Sequence, residues 1–240
     1  MWNKRKLLVG AALVLVSGSA VAQRSFSVVA GGQMYLTKAR FVEAKPAGFG
    51  LGLVPHLYSG FMVGAAVGLS PRYAVQATVG IDAYGVSFQA HRGSTMRFSQ
   101  YATEYALVLR RQYATGQVGH VWFTDSGFDM LHAGGGGITS FGIESSNMVG
   151  PGTSVSGTII NGKSYRVGVR LGAGREWALS SRHHVALQAI ASIGLSDLRH
   201  YRLQNTTWQQ GQTIDPIVKD VLIATRASFV GVQARYRFQL

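Results

Sequence analysis

The chain has 240 residues, no cysteine and only 14% charged residues, well below the roughly 25% of an ordinary soluble domain. Its 23 Lys and Arg outnumber ten Asp and Glu, for a net charge of +13. The lack of cysteine excludes a disulfide framework, thiol catalysis and zinc–thiolate sites.

The N-terminus has the three parts of a secretory signal peptide. A positive segment at residues 3–6 precedes an apolar run over residues 7–16, and Ala20-Val21-Ala22 forms a cleavage site. The apolar run is too short for a spanning helix, which needs about 20 residues, so a retained anchor is the weaker alternative. We therefore expect a signal peptide over residues 1–22 and one domain over residues 23–240. For an exported chain, lipopolysaccharide phosphates are the expected counter-charge, and nucleic acid is not expected as a partner.

Alternation of apolar with small or polar residues predicts eight β-strands after the signal peptide. In chain order they cover residues 25–36, 58–69, 73–84, 100–110, 128–141, 165–174, 185–196 and a last strand ending with residues 230–240. The clearest arms have roughly ten residues or more, close to the 9–11 that cross a bilayer as a tilted strand. No later apolar run is long enough for a spanning helix, so membrane residence must come from strands.

The fifth strand has two possible starts. We place a loose connection through Asp125-Ser126-Gly127 before it; a start soon after Thr115-Gly116 is the alternative. Its glycines at 134–137 indicate close packing or a bulge.

Short and long connections alternate along the chain. Tight turns are predicted at Ser70-Pro71-Arg72 and Ser180-Ser181-Arg182, and polar loops at residues 37–57, 89–98, 144–163 and 197–219. Outer-membrane barrels combine an even number of strands with short periplasmic turns and long external loops. Tyr113, beyond the fourth strand, fits an aromatic girdle at the interface.

The composition of the two strand faces indicates which face contacts lipid. The less apolar face consists mostly of Gly, Ala, Ser, Thr and Gln, which suits a narrow interior better than a solvated exterior. This pattern predicts an all-β, eight-stranded antiparallel up-and-down transmembrane barrel in the outer membrane; a soluble periplasmic barrel is the alternative.

Two segments carry a resemblance to a known family. Residues 60–80, around Leu69-Ser70-Pro71-Arg72-Tyr73, resemble the first hairpin of small outer-membrane barrels of the OmpA/OmpX-like and PorT-like kind. Tyr236-Arg237-Phe238 is similar to their C-terminal assembly signal, although two residues follow it. The resemblance implies insertion by the outer-membrane assembly machinery, and it implies no catalytic site.

Eight charged residues share the predicted interior face. They are Asp82, Glu104, Arg110, Arg166, Arg170, Glu176, Arg235 and Arg237. An eight-stranded barrel is just wide enough to be filled by side chains, and buried charges must pair, so we interpret this set as a structural salt-bridge network. The excess of arginine leaves a narrow anion-preferring pore as the alternative.

Sites for catalysis, metals or cofactors find little support in the sequence. Adjacent strand residues point to opposite faces, so His183 and His184 do not form a metal pair. His91 near Ser94 leaves a lipid A-modifying enzyme as an alternative, without a motif that fixes their geometry. We predict no enzymatic activity, no cofactor and no metal. The expected role is structural or interactive, with basic external loops contacting lipopolysaccharide phosphates and outer-membrane lipids; the oligomeric state is left open.

Overall fold

Antiparallel β-strands make up the regular structure of this chain. The computed structural model describes residues 25–37, 39–45, 51–90, 95–114, 119–133, 140–145, 153–162, 165–207 and 217–240. The expected signal peptide over residues 1–22 lies outside them. In these ranges no helix has the length and apolar character to cross a membrane.

The strands differ greatly in length, from two residues to twenty. In chain order they are β1 (Phe26–Thr37), β2 (Arg40–Phe41), β3 (Leu51–Leu53), β4 (His56–Ser70), β5 (Tyr73–Ala90), β6 (Thr95–Ala114), β7 (His120–Ala133), β8 (Ser140–Ser145), β9 (Thr153–Gly162), β10 (Tyr165–Ala178), β11 (His183–Gly194), β12 (Arg199–Thr207), β13 (Ile217–Thr225) and β14 (Phe229–Gln239).

Eight of these strands form a closed wall. Neighbours around the wall follow the order β5, β4, β1, β14, β11, β10, β7 and β6, and β6 pairs again with β5. The first strand meets the last in antiparallel register, from Ser27 opposite Gln239 to Thr37 opposite Phe229. The prediction of an eight-stranded antiparallel up-and-down barrel is therefore confirmed.

The wall is apolar outside and polar inside. Outward side chains such as Phe61, Ile81 and Phe128 are about 60% exposed (58%, 62% and 60%). Inward residues on the same strands, such as Asp82 and Asp129, are only 2% exposed. A water-soluble protein rarely leaves so continuous an apolar surface open, whereas a transmembrane barrel presents such a band to lipid. The predicted assignment of faces is confirmed, and the wall spans a membrane.

One end of the barrel carries the tight turns and both chain ends. Two of the turns are residues 71–72 and 179–182, and β6 ends and β7 begins at this same end. Ser25 accepts a backbone hydrogen bond from Gly68 at this end, and the Leu240 amide donates to Phe26. Short turns together with both termini mark the periplasmic end of an outer-membrane barrel.

The opposite end carries a second sheet, which was not predicted. Its order is β2-β13-β12-β9-β8, and we call it the cap. The cap packs on the upper part of β5 through one apolar cluster. The buried members of this cluster are Ala39, Val86, Phe88, Tyr201, Leu203, Val221 and Ile223.

Three predicted connections are therefore wrong. Much of the loops at 144–163 and 197–219 is β-strand, since β9 lies in the first, and β12 and part of β13 in the second. In the loop predicted at 89–98, residues 89–90 belong to β5 and residues 95–98 to β6, while residues 91–94 lie outside the described residues.

The fifth wall strand was also misplaced. It is β7, His120–Ala133, so the alternative start soon after Thr115-Gly116 is the one that the structure supports. Most of the predicted strand at 128–141 lies beyond it, and the glycines at 134–137 fall outside the described residues.

Candidate functional site

The barrel interior gathers charged side chains from five wall strands, β5, β6, β7, β10 and β14. In the wall, the described residues place five arginines and five carboxylates inside. They are Arg110, Arg166, Arg170, Arg235 and Arg237, with Asp82, Glu104, Asp125, Asp129 and Glu176. Eight of the ten are the predicted interior residues; Asp125 and Asp129 were missed. When all five carboxylates are ionised, they balance the five arginines.

The layer nearest the periplasmic turns is organised by two carboxylates. Asp125 accepts hydrogen bonds from Arg110 Nε and Nη2, at 2.9 and 3.2 Å, and from Arg235 Nη2 at 2.9 Å. Glu176 accepts from Arg110 Nη1 at 2.9 Å and from Arg237. Arg110 therefore bridges the two carboxylates as a fork, which is the strong geometry for a buried ion pair.

The middle layer is centred on Gln33. Its Nε2 donates to Asp82 Oδ1 at 2.8 Å and to Glu104 Oε2 at 2.9 Å, while its Oε1 accepts from Arg170 at 3.0 Å and from Gln233 at 2.8 Å. Arg170 also donates to Glu104. Asp82 has no such arginine bond, and its Oδ2 is buried without a hydrogen-bond partner among the described residues.

The upper layer is a fully buried pair, Arg166 and Asp129. Arg166 Nη1 donates to Asp129 Oδ1 at 2.9 Å, and its Nη2 donates to the Ala227 carbonyl at 2.7 Å. Ser192 completes the site by donating to Asp129 Oδ2 at 2.8 Å. Both charged side chains are 0% exposed, so this layer fills the interior at its level.

Inward glycines provide the room for these layers. A Cβ at Gly60 would lie 1.6 Å from Asp82 Oδ1, and one at Gly168 would lie 2.0 Å from Arg166 Nη1. Real Cβ atoms do not approach so closely, and closely packed interiors cannot absorb the extra atom. The glycines on the polar face therefore shape the charged interior.

Apolar side chains also fill the interior beside the middle and upper charged layers. Tyr35, Tyr58, Ile190 and Phe229 form one buried cluster there. At the periplasmic mouth, below the layers, lies a cavity of about 200 Å³ bounded in part by Arg110 and Arg237. The described interior is thus an open vestibule below and a packed plug above.

Asp125 and Asp129 were missed because their segment was interpreted as a loop. Charged residues beside Ser126 and Gly127 resemble a turn when only local sequence is considered. The signal that would have found them is the alternation of β7, where Trp122, Phe128 and Met130 lie outside and the two aspartates inside.

The histidines do not converge on a metal site in the described structure. His183 lies on the outer face and contacts Tyr236, while His184 lies inside with Nδ1 3.5 Å from Glu176. No group of three or more potential metal ligands occurs among the described residues. His91 and Ser94 fall outside them.

Comparison with known proteins gives structural likenesses alone. No family model and no curated protein matches the chain. The outer membrane protein OprG from Pseudomonas aeruginosa superposes with a TM-score of 0.49 at 9% identity, over 89% of this chain and 95% of that one. The N-terminal β-barrel domain of Pseudomonas aeruginosa OprF gives 0.43 at 9% identity, over 90% and 97%. The outer membrane protein AlkL gives 0.42 at 11% identity, over 93% and 94%.

The location of the protein follows from its own two surfaces. A closed strand wall leaves no backbone group unpaired toward lipid, and its apolar outer band has the composition that a bilayer requires. Short turns at one end and long connections at the other match the orientation of outer-membrane barrels. The protein is a transmembrane barrel of the outer membrane.

Proposed function

We propose that this barrel has a structural or interaction role, in which a plugged wall holds the cap at the cell surface. The observation that carries the proposal is the interior network, where five arginines form ion pairs with four carboxylates and Asp82 accepts a hydrogen bond from Gln33. Arg166 and Asp129, at 0% side-chain exposure, are its most enclosed pair. A packed, neutral interior suits a rigid support better than a passage for solutes.

The cap supports the interaction side of this proposal. Tyr201 and Leu203 of β12 are buried against the β5 extension, while the neighbouring Arg202 and Gln204 are exposed. The cap is therefore anchored on one face and presents polar side chains on the other. Such a surface offers a partner a preformed site, which lowers the entropic cost of binding.

Planar-bilayer recording tests the plug. We expect no unit conductance steps above background after the purified barrel has been inserted. Protease protection of the wall, measured on the same preparation, is the control for insertion. Reproducible steps would contradict the proposal and favour the narrow pore.

The anion-preferring pore is the second candidate, and the charge balance disfavours it. The sequence interpretation counted five interior arginines against three carboxylates. Asp125 and Asp129 remove that excess, since Asp125 binds Arg110 and Arg235 and Asp129 binds Arg166. A lumen without surplus positive charge has little attraction for anions.

We also propose that the protein is not an enzyme. The described interior carboxylates accept hydrogen bonds mainly from arginines and glutamines, which holds them as structural groups rather than as acid or base catalysts. Mass spectrometry of lipid A from cells with and without the gene is the measurement. Identical acylation and headgroup profiles are expected, and a mass difference that depends on the protein would establish a modifying activity.

Lipopolysaccharide phosphates are the partner we propose for the external basic residues. Arg40 lies in cap strand β2 and Arg226 directly follows β13; both contact Asp197, and their side chains are still 45% and 51% exposed. Arginine near an anionic surface contributes about 1 kcal/mol of attraction per residue. We expect Arg40→Gln together with Arg226→Gln to weaken retention of lipid A by the purified barrel, measured by native mass spectrometry. Retention equal to that of the parent protein would argue against this contact.

A further inference from the structure

The outer face of the wall carries very few charges. Among wall side chains that the structure describes, Arg111 and Arg175 are the only Arg, Lys, Asp or Glu residues that point outward. Both lie close to the periplasmic turns and beside aromatic rings. Charge at this depth meets lipid headgroups rather than acyl chains, since aromatic girdles mark the interface.

Arg175 lies between two indoles. Its Cζ is 5.8 Å from the ring centroid of Trp122 and 5.5 Å from that of Trp177, both within the range of cation–π attraction. Trp122 is its direct neighbour across the β7–β10 pair. The two rings therefore keep the guanidinium close to the outer surface of the wall.

Arg175 also lacks a counter-charge in the described structure. Each interior arginine is within salt-bridge distance of a carboxylate, whereas no such contact is formed by Arg175. Its Nε is buried and has no hydrogen-bond partner among the described residues. A partly desolvated guanidinium without an anion is costly, and it presents a fork suited to phosphate oxygens.

A groove beginning at Arg175 runs along the wall toward the middle of the membrane. It has a volume of about 410 Å³, and its apolar lining includes Ala173, Leu187, Ala189 and Val232. Ala173 and Ala189 face each other across β10 and β11, so the floor of the groove is made of small side chains. A shallow apolar groove on a lipid-facing surface can hold part of a hydrocarbon chain along one side.

We propose that Arg175, Trp122 and Trp177 bind the phosphate of a glycerophospholipid, with one acyl chain lying in the groove above. The periplasmic position of the site selects a phospholipid of the inner leaflet rather than lipid A. The proposal depends on the membrane orientation of the barrel and is independent of the role proposed for the cap. Failure of one therefore leaves the other standing.

Quenching of tryptophan emission by brominated lipid tests the site directly, since the two indoles form part of it. The mature barrel with Trp208→Phe, which leaves Trp122 and Trp177 as the emitters, is reconstituted in vesicles that contain a small fraction of brominated phosphatidylglycerol. We expect Arg175→Gln to lower the relative affinity for this lipid about fivefold, as expected for one arginine near a charged surface. Ala189→Phe, which keeps the charge and fills the groove, is expected to reduce quenching as well.

Arg182→Gln is the matched control, because Arg182 is an exposed arginine in a turn at the same end. Its quenching is expected to equal that of the parent. Brominated diacylglycerol, which has the chains and no phosphate, is expected to quench without selectivity. Three results would overturn the proposal. The first is equal quenching of Arg175→Gln and the parent by brominated phosphatidylglycerol, and the second is a loss of affinity in Arg182→Gln as large as that in Arg175→Gln. The third is an affinity for brominated diacylglycerol equal to that for brominated phosphatidylglycerol.

Two further measurements keep the result interpretable. Folding of each variant is verified by the electrophoretic shift between unheated and heated samples. Only variants that fold are compared in the quenching experiment. Competition with unbrominated lipid A distinguishes the two phosphate sources. Stronger competition by lipid A than by phosphatidylglycerol would contradict the assignment to a phospholipid.

Discussion

Individual carboxylates in the interior differ in what holds them, although the sequence predicts the same environment for all. Asp125 accepts three hydrogen bonds from Arg110 and Arg235, whereas Asp82 accepts a hydrogen bond from the neutral amide of Gln33 and none from an arginine of the described residues. Both carboxylates are nearly fully buried, since Asp125 is 4% and Asp82 is 2% exposed. Burial alone therefore says little about which carboxylate stabilises the barrel.

The same substitution at both positions tests this difference. Asp125→Asn leaves two buried arginines without their shared anion, which we expect to lower the free energy of unfolding by about 3–5 kcal/mol. Asp82→Asn keeps an oxygen acceptor for Gln33 and is expected to cost less than about 1 kcal/mol. Urea unfolding of the two variants in detergent micelles is the measurement, and equal losses would refute the distinction.

A second residue-scale prediction concerns Gly168. An added Cβ would lie 2.0 Å from Arg166 Nη1 and 2.4 Å from Asp129 Oδ1, so Gly168→Ala must displace the upper pair. We expect a loss of about 1–3 kcal/mol in unfolding free energy, the usual cost of overpacking. Gly32→Ala is the control, because a Cβ added at Gly32 would have its nearest neighbour, the Gly60 carbonyl oxygen, 3.8 Å away. That change is expected to be neutral or slightly stabilising, and the prediction fails if the two variants unfold alike.

Among the elements, the wall strands could be predicted from the sequence and the cap could not. Period-two alternation on β4, β5 and β10 reports burial on one face, and this local signal located the wall. Cap strand β12 is mostly polar, and both β12 and the more apolar β13 pack against Val86 and Phe88, more than a hundred residues away. The predicted position of the fifth wall strand was wrong for the same reason. Asp125 and Asp129 are stabilised by arginines of other strands, which no local pattern reveals.

Depth along one strand sets the cost of an outward charge. On β6, Leu107 lies on the outer face well away from the turns, while Tyr113 lies near the periplasmic rim. We expect Leu107→Arg to cost about 2–4 kcal/mol and Tyr113→Arg about 0–1 kcal/mol. Urea unfolding in lipid vesicles measures both. Similar costs at the two depths would mean that β6 does not cross the hydrocarbon core as described.

Asp197, in the connection between β11 and β12, forms pH-sensitive ion pairs at the cap. We call Asp197 and its partners the clasp. Asp197 Oδ2 lies 2.8 Å from Arg40 and 3.4 Å from His200, and its Oδ1 lies 3.2 Å from Arg226. Partial burial raises the pKa of Asp197, but the hydrogen bond from Arg226 and the charge of Arg40 outweigh burial, so its pKa falls below the ordinary 3.8. The clasp therefore stabilises the cap above pH 4 and is lost as the pH falls through that lowered pKa.

Pepsin digestion between pH 4 and pH 2 reads out the clasp. In the parent protein we expect cleavage of the cap to accelerate as the pH falls, after correction for the activity of pepsin on an unstructured substrate. Asp197→Asn is expected to be cleaved faster at pH 4 and to lose most of this dependence. Asp220→Asn, which changes an exposed aspartate of β13, is expected to behave like the parent. An unchanged pH profile in Asp197→Asn would rule out the clasp.

At the scale of the whole molecule, the wall and the cap are two sheets with separate requirements. The wall closes on itself through the β1–β14 pair, so every wall strand has two partners. The cap depends on the wall through the apolar cluster at Val86 and Phe88. We therefore expect the wall to fold without the cap, whereas the cap folds only when the wall is present.

Removing the β12–β13 hairpin tests this hierarchy. The Leu198 amide donates to the Thr225 carbonyl at 2.8 Å, so an Asn-Gly turn in place of Arg199–Thr225 joins ends that are already adjacent. We expect this variant to keep the electrophoretic shift of a folded barrel and its protease-resistant wall. It should also bind more of an apolar dye, because Val86 and Phe88 become exposed.

Deletion of residues 229–240 is the opposing case. It removes β14 and leaves the edges of β1 and β11 unpaired in lipid, where each unsatisfied backbone group is costly, so no folded form is expected. A hairpin variant that also fails to fold would show that the cap is required for closure of the wall.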